Sequence, residues 1–210
     1  ERERLGITIS SDYWYLTTEG ESEEDPKVLV MHDDQLETLW ALGVKQEGVT
    51  PEVVSWIIQT LDEAGYRGMA ITINTDQEEA IMALKKAISA RREARTALVD
   101  SKVRVSVSNS RVARAIRKWR GQFRKLKLHL ESKMNQRIPP EHALVPWLVE
   151  WAGEVIRKFH VKENGRTAYE DITGHRVKHW AIGFGERVQF RLANDNVQNK
   201  YEGGGSQGIF

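Results

Sequence analysis

Hydrophobic residues in the first part of the chain recur at two-residue spacing, which is typical of strands that bury one face. Residues 5–16, 27–31 and 36–44 are rich in β-branched and aromatic side chains, and we expect each segment to form a strand. Asp33 and Asp34 mark a turn between the last two. The pattern therefore predicts three successive antiparallel strands.

Beyond these strands the pattern alternates between helix and strand. We expect Thr50 to cap a helix that has Pro51 in its first turn and ends at Gly65. A strand, a helix and a second strand are predicted next, over residues 69–74, 78–92 and 96–99. The first of these strands is short and strongly apolar, as expected at the centre of a sheet. Together the elements predict an α/β fold with a mixed five-stranded sheet flanked by helices.

A long amphipathic segment, residues 106–133, follows a loop that we expect around residues 102–107. Its apolar residues recur at three- and four-residue steps, which predicts a helix with Ser108 or Asn109 as the N-cap. Between Arg111 and Lys127 no acidic residue interrupts the eight basic residues, Arg111, Arg114, Arg117, Lys118, Arg120, Arg124, Lys125 and Lys127. One interpretation is a solvated basic face. The alternative is a helix that contacts the phosphate backbone of DNA.

A second long helix is predicted over residues 142–159, with Trp147 and Trp151 on one of its faces. Beyond it the pattern weakens, so we interpret residues 161–210 as a C-terminal extension packed on a core of residues 1–160. The extension is predicted to contain a loop, one strand and a glycine-rich loop, over residues 163–176, 185–192 and 194–208. A small β element is therefore expected there.

Composition narrows the class of protein. The chain has 210 residues, of which 40% are hydrophobic, enough for one core and an appendage. It contains no cysteine, which excludes disulfides and thiolate zinc sites and fits a reducing compartment. We expect no signal peptide and no membrane partner, because no apolar run approaches the length of a membrane span. The chain begins with Glu1 and stops at Phe210, which suggests a piece of a longer protein.

Two aspartates are candidates for a metal site. Asp12 lies within the first predicted strand, where an unpaired carboxylate is costly, and Asp76 follows the fourth strand at a helix start. Carboxylates on the ends of neighbouring strands can converge on a hard divalent ion such as Mg²⁺. Two such ions, about 4 Å apart, support phosphodiester chemistry. The alternative is that each is a turn or capping aspartate, with Asp76 capping the helix beside it.

The other candidates favour structural roles. Five histidines lack a metal-binding spacing: His129, His142, His160, His175 and His179. Five tryptophans lie among apolar residues and are expected to pack in the core: Trp56, Trp119, Trp147, Trp151 and Trp180. Ser106 and Ser108 have no nearby His/Asp pattern, which argues against a hydrolase triad.

Several segments resemble one family. SSDYWYL around Asp12, INTDQEEAI around Asp76, and SNSRVARAIRKWRGQFR resemble the catalytic core of retrotransposon integrases, most closely the Ty1/copia type. Retroviral integrases and DDE transposases form the wider family. PWLVEWAGEVIRKF, ENGRTAYEDITGHR, FGERVQF and GGGSQGIF resemble the segments that follow the core in such polyproteins. The resemblance covers nearly the whole chain and implies an RNase H-like catalytic core over residues 1–160.

The resemblance also implies roles for individual residues. The family's first two metal-binding aspartates fall on Asp12 and Asp76, which would hold Mg²⁺ or Mn²⁺. The third ligand, a glutamate, falls on Ala113, which cannot bind a metal. Either the glutamate was removed deliberately, or the element has decayed, or the fold has been reused. We favour deliberate removal, because the surrounding motif is undamaged.

The implied activity is that of a polynucleotidyl transferase that trims the 3′ end of element DNA and joins it to target DNA, inactive in this chain because of Ala113. The implied partners are double-stranded DNA and further copies of the chain, and the implied location is the nucleus, after cytoplasmic assembly. Arg117 and Arg120 share a helix face with position 113 and are expected to contact the element end. Two rival interpretations are an RNase H-like nuclease that cuts without joining, and a domesticated, non-catalytic DNA-binding or scaffold module.

Overall fold

A five-stranded mixed sheet forms the centre of the described structure. The computed structural model describes residues 6–17, 26–100, 106–178, 183–190 and 206–209, with the backbone alone for residues 106–109 and for Ile209. The strands are β1 (Ile7–Tyr15), β2 (Lys27–Asp33), β3 (Thr38–Val44), β4 (Ile71–Thr75) and β5 (Thr96–Asp100). They lie in the order β3-β2-β1-β4-β5, antiparallel from β1 to β3 and parallel from β1 to β5. The predicted mixed sheet is confirmed, with β1 rather than β4 at its centre.

Helices cover both faces of the sheet. They are α1 (Pro51–Leu61), α2 (Glu79–Arg91), α3 (Ser106–Met134), α4 (Val145–Phe159) and the short α5 (Ala168–Thr173). One core lies between the sheet and α1 with α2, and a second lies between the sheet and α3 with α4. Side chains alternate between the two faces along β2, so this strand contributes to both cores. Leu29 and Met31 face the first core, and Val28 and Val30 face the second. No helix in this described part is long and apolar enough to cross a membrane.

The start of α1 follows from its sequence. The Thr50 side chain accepts a hydrogen bond of 3.2 Å from the backbone N–H of Val53, and Pro51 occupies the first turn, as predicted. A single π turn (Asp62–Tyr66) extends the helix to Gly65, whose φ of 87° is left-handed. Glycine adopts this conformation without strain, which is why the helix ends there.

The start of α3 corrects the sequence-based prediction. The helix begins at Ser106, so Ser108 and Asn109 lie inside it and neither is the N-cap. The predicted loop around residues 102–107 is wrong for its last two residues, which are helical, and its other residues lie outside the described ranges. Among the described side chains of α3, the buried face begins at Val112. A periodicity argument therefore places the start of such a helix too late.

The region after α4 contains more structure than predicted. Residues 163–176 were expected to form a loop, but α5 lies within them. The Thr167 side chain accepts from the backbone N–H of Glu170, and the Glu170 side chain accepts from the N–H of Thr167, which forms a capping box that starts a short helix. Gly174 ends the helix in a left-handed conformation.

The expected small β element is present. β6 (Arg187–Phe190) pairs antiparallel with β7 (Ser206–Ile209), so the end of the predicted glycine-rich loop belongs to a strand. Residues 191–205, between the two strands, lie outside the described ranges. The division of the chain at residue 160 stays a prediction.

The tryptophans only partly follow the prediction. Trp119 is fully buried, and Trp56 and Trp151 are half-buried, but Trp147 is 70% exposed, so its assignment to the core was wrong. The buried face of α4 is formed by Leu148, Val149, Ala152 and Ile156. Trp147 precedes the first of these by one residue, which turns it away from the buried face of the helix. Trp180 lies outside the described residues.

Candidate active site

Asp12 lies in the second half of β1, the central strand. Ile9 and Tyr13 on this strand belong to the core under α1 and α2, whereas Trp14 packs against the core under α3 and α4. Because side chains alternate along a strand, Asp12 points to the same face as Trp14. Its side chain is half-buried, and its Oδ1 atom accepts a hydrogen bond of 2.8 Å from the backbone N–H of Tyr13.

Asp76 is the first residue after β4, the parallel neighbour of β1. Ser10 on β1 pairs with Asn74 on β4. Asp12 and Asp76 each lie two residues further on, so both follow on the same face of the sheet as this pair. The N-cap of α2 is Glu78, so the alternative interpretation of Asp76 as the cap of this helix is wrong. Asp76 does serve a turn, because its Oδ1 atom accepts a hydrogen bond of 3.2 Å from the N–H of Glu78.

Negative charge accumulates around Asp12. Burial, together with the carboxylates of Asp76, Glu78 and Glu47, raises the pKa of its carboxyl group to about 6, against the opposing hydrogen bond from Tyr13. Burial and the charges of Asp76 and Glu47 also raise the pKa of Glu78. A bound cation would relieve this repulsion. Among the described residues, however, no group of three or more His, Asp or Glu side chains has the arrangement of a metal site.

Ala113 lies on the same side of α3 as Arg120. The guanidinium of Arg120 lies 5.1 Å from the ring centroid of Trp14, which places residue 120 beside the strand that carries Asp12. Position 113 is seven residues, about two helical turns, earlier on the same side of the helix. Asp12 precedes Trp14 by two residues, or about 7 Å along the strand. Ala113 is exposed and contributes only a methyl group.

The direction of α3 supports this placement. Arg111, near its start, contacts Asp34 of the β2–β3 turn at 2.5 Å, and the N–H of Asp34 donates to the carbonyl of Thr8 at 3.1 Å. Trp119, near the middle of the helix, packs edge-on against Trp14 with ring centroids 5.6 Å apart. The helix therefore runs along β1 in the same direction as the strand.

The basic residues of α3 occupy two different sides of the helix. The first side, which we call the Trp14 flank, is formed by Arg117, Arg120, Arg124 and Lys127 together with Ala113. The second side, which we call the hairpin flank, adjoins the β2–β3 turn and is formed by Arg111, Arg114 and Lys118. Lys125 is exposed. The uniform basic face suggested by the sequence is therefore divided, and only the Trp14 flank adjoins Asp12.

Contacts differ among the cations of the Trp14 flank. Arg124 and Lys127 line a groove of about 260 Å³ with Trp14. Lys127 forms an ion pair of 2.6 Å with Glu131, whose pKa is lowered by the N–H of Ile138 and by this lysine. Arg117 is exposed. Arg120 and Arg124 are thus the cations nearest Trp14 that form no ion pair with a described residue.

Solved structures share this sheet order with helices on both faces. The HTLV-2 integrase catalytic core domain in complex with magnesium matches in its trimeric form with a TM-score of 0.54 and 14% identity, over 78% of this chain and 93% of that chain. Its dimeric form matches with a TM-score of 0.53 and 14% identity, over 79% and 94%. The fold is that of a retroviral integrase catalytic core.

A third structure with the integrase-core fold extends the match. The simian T-cell lymphotropic virus intasome in complex with PP2A regulatory subunit B56 gamma matches with a TM-score of 0.55 and 13% identity. The match covers 95% of this chain and 67% of that chain. No protein-family model and no curated protein sequence matches this chain.

Sequence reasoning missed three residues of this site. Glu47 lies in the loop between β3 and α1, and nothing in its local sequence indicates that it acts on Asp12. Glu78 and Trp14 each lie two residues from a predicted ligand, so a two-residue spacing on a strand or turn could have identified them. Tyr15 fixes Glu47, because the tyrosine hydroxyl donates to Glu47 Oε1 at 2.5 Å.

Proposed function

We propose that this chain is the core of an integrase-type polynucleotidyl transferase of a retrotransposon, of the Ty1/copia type, that binds DNA but does not process or join it. The observation that carries the proposal is the position of Asp12 on β1 beside Asp76 at the end of the adjacent parallel strand β4, next to a basic helix, in an integrase-core fold. Because the structural neighbours share 14% identity or less, they support the fold, and the chemistry rests on the residues of this chain.

The two aspartates fit a divalent cation such as Mg²⁺ or Mn²⁺. Both present carboxylate oxygens, the ligands that such hard cations prefer, and Asp12 lies where neighbouring carboxylates oppose its ionisation. When bound, the cation would activate the nucleophile and stabilise the leaving oxygen of a phosphodiester. Ala113 supplies no third carboxylate at the position that the resemblance assigns to one. This favours the absence of catalysis in the chain as it stands.

DNA contact is assigned to the Trp14 flank of α3. Two of its cations, Arg120 and Arg124, lie on the same side of the helix as Ala113 and can meet backbone phosphates next to the aspartates. We propose double-stranded element and target DNA as the partner, in a homo-oligomer, since the similar HTLV-2 domains occur as dimers and trimers. The proposed place of action is the nucleus, after assembly in the cytoplasm.

Ala113 also favours one alternative. A domesticated, non-catalytic DNA-binding or scaffold module would have no need of a third carboxylate. An RNase H-like nuclease would need it as much as an integrase does. The codon at position 113 in the source genome distinguishes most simply between a domesticated module and an integrase core whose glutamate was replaced. A natural alanine supports the module, and a natural glutamate supports a deliberate replacement.

The experiment compares the chain with its Ala113→Glu variant, in the context of the full-length protein. A labelled oligonucleotide with the element's terminal sequence is incubated with each protein in Mg²⁺ or Mn²⁺. We expect no end processing or joining with Ala113 and measurable amounts of both with Ala113→Glu. A double variant, Ala113→Glu with Asp76→Asn, is the control and should be inactive.

Three results would contradict this proposal. Joining by the Ala113 protein would refute the assignment of the third ligand. An inactive Ala113→Glu protein that still binds DNA would favour the non-catalytic module. Cleavage by the Ala113→Glu protein without joining would favour the nuclease.

A further inference from the structure

A cavity of about 430 Å³ lies on the hairpin flank of α3, across the helix from the candidate active site. It is enclosed by α3, the β2–β3 turn and the residues that follow α4. Its charged lining consists of Arg111, Arg114, Lys118 and Lys162, with Asp34 and Glu37. Four cationic and two acidic side chains give it a net charge of +2 with its histidines neutral.

Two of the four cations have structural partners. Arg111 is paired with Asp34 at 2.5 Å. Lys162 is paired with Asp171 at 2.5 Å and donates to the carbonyl of Leu36 at 3.2 Å. These contacts join α3 and the segment after α4 to the β2–β3 turn, so they shape the walls of the cavity.

The other two cations lack such partners. Arg114 donates from Nε to the carbonyl of Ser110 at 3.2 Å, and neither Arg114 nor Lys118 forms an ion pair with a described residue. Lys118 is half-buried, and burial lowers the pKa of its ammonium group, which Glu37 partly opposes. A half-buried cation without a close counter-ion is costly, and an anion in the cavity would reduce that cost.

Arg114 and Lys118 lie four residues apart on α3, so their side chains are neighbours on one side of the helix. The oxygens of a single anion in the cavity can therefore meet both.

We propose that this cavity binds a small, multiply phosphorylated anion through Arg114 and Lys118. Phosphate oxygens are strong acceptors for guanidinium and ammonium donors, and arginine can bind them in bidentate fashion. The cavity is far larger than a single phosphate. It is also recessed between α3 and the β2–β3 turn, which suits a compact anion better than the convex backbone of a DNA duplex.

The experiment measures binding of inorganic tripolyphosphate to the full chain by isothermal titration calorimetry. The test variant combines Arg114→Gln with Lys118→Met. The control variant combines Lys45→Met with Lys86→Met, which removes the same charge from exposed sites outside the cavity. We expect saturable one-to-one binding to the chain and the control, and a Kd raised about tenfold for each cation removed from the cavity.

The Lys118→Met protein should unfold at the same temperature as the parent or higher in the absence of tripolyphosphate, whereas a purely structural lysine would lower that temperature. Absence of binding, or equal loss of affinity in the test and control variants, would overturn the proposal. Displacement of tripolyphosphate by a short DNA duplex would also overturn it, since the phosphates would then belong to DNA. This outcome is independent of whether the chain joins DNA ends.

Discussion

Replacing Asp12 by asparagine should stabilise the protein at neutral pH. Asp12 is held among carboxylates, and its pKa is raised from 3.8 to about 6 in the folded chain, chiefly by burial and by Asp76. The folded state therefore resists ionisation of this group more than the unfolded state does. The free energy of unfolding contributed by Asp12 is greatest below pH 4, and it is lost as the pH rises to about 6. Asparagine carries no charge and avoids this loss.

The magnitude follows from the difference in pKa. A rise from 3.8 to about 6 corresponds to roughly 3 kcal/mol at pH 7. Asp12 is only half-buried, so solvent screening reduces the expected gain to about 1–2 kcal/mol. For a chain of this length the gain should raise the melting temperature by roughly 2–8 °C.

The assay is thermal and urea unfolding of the parent and Asp12→Asn proteins at pH 4 and pH 7 without divalent cations. The difference in stability should be present at pH 7 and nearly absent at pH 4. Glu141→Gln, at an exposed position, is the control and should change stability by less than about 0.5 kcal/mol. Millimolar Mg²⁺ should stabilise the parent but not Asp12→Asn.

One result would refute this reasoning directly. If Asp12→Asn destabilises the protein at pH 7, or if its effect is the same at both pH values, Asp12 is not electrostatically strained in the folded state. Its placement beside Asp76 would then have to be reconsidered. If Asp12→Asn gains stability at pH 7 but Mg²⁺ does not stabilise the parent, the electrostatic strain at Asp12 is supported and the metal assignment is contradicted.

Three further predictions concern other parts of the chain. Lys85 is 2% exposed and paired with the carboxylate of Asp100 at the end of β5, so Lys85→Met should lower the free energy of unfolding by about 1–3 kcal/mol. Lys86→Met, at the exposed neighbouring position, should leave it unchanged, and urea unfolding measures both. Thr167→Ala should cost about 1 kcal/mol of unfolding free energy through loss of the capping box of α5, and Thr167→Ser should retain most of it. Replacing Arg120 and Arg124 by glutamine should reduce the slope of log K for DNA binding against log salt concentration by about 0.9 for each phosphate that is no longer neutralised. Replacing two cations of the hairpin flank by glutamine should leave that slope unchanged.

The local sequence determined the elements of this fold, the strand that carries Asp12 and the strand that Asp76 follows. Two-residue alternation along β1 to β3 and the capping signals of α1 depend on a few neighbouring residues, so they can be identified from the chain alone. Short-range signals were less informative where the buried face begins late, as in α3, or where a capping box starts a helix of only six residues, as in α5.

Only the tertiary structure decided how the charges are grouped. Along the sequence the basic residues of α3 form one continuous set, but packing on the sheet places Arg120 beside the strand of Asp12 and Lys118 in a separate cavity. Glu47 acts on Asp12 from a loop that lies beyond two further strands of the chain, and residues beyond α4 complete the wall of that cavity. These relations arise from contacts between distant segments, and their electrostatic strength depends on how much water the fold excludes, which no local pattern records.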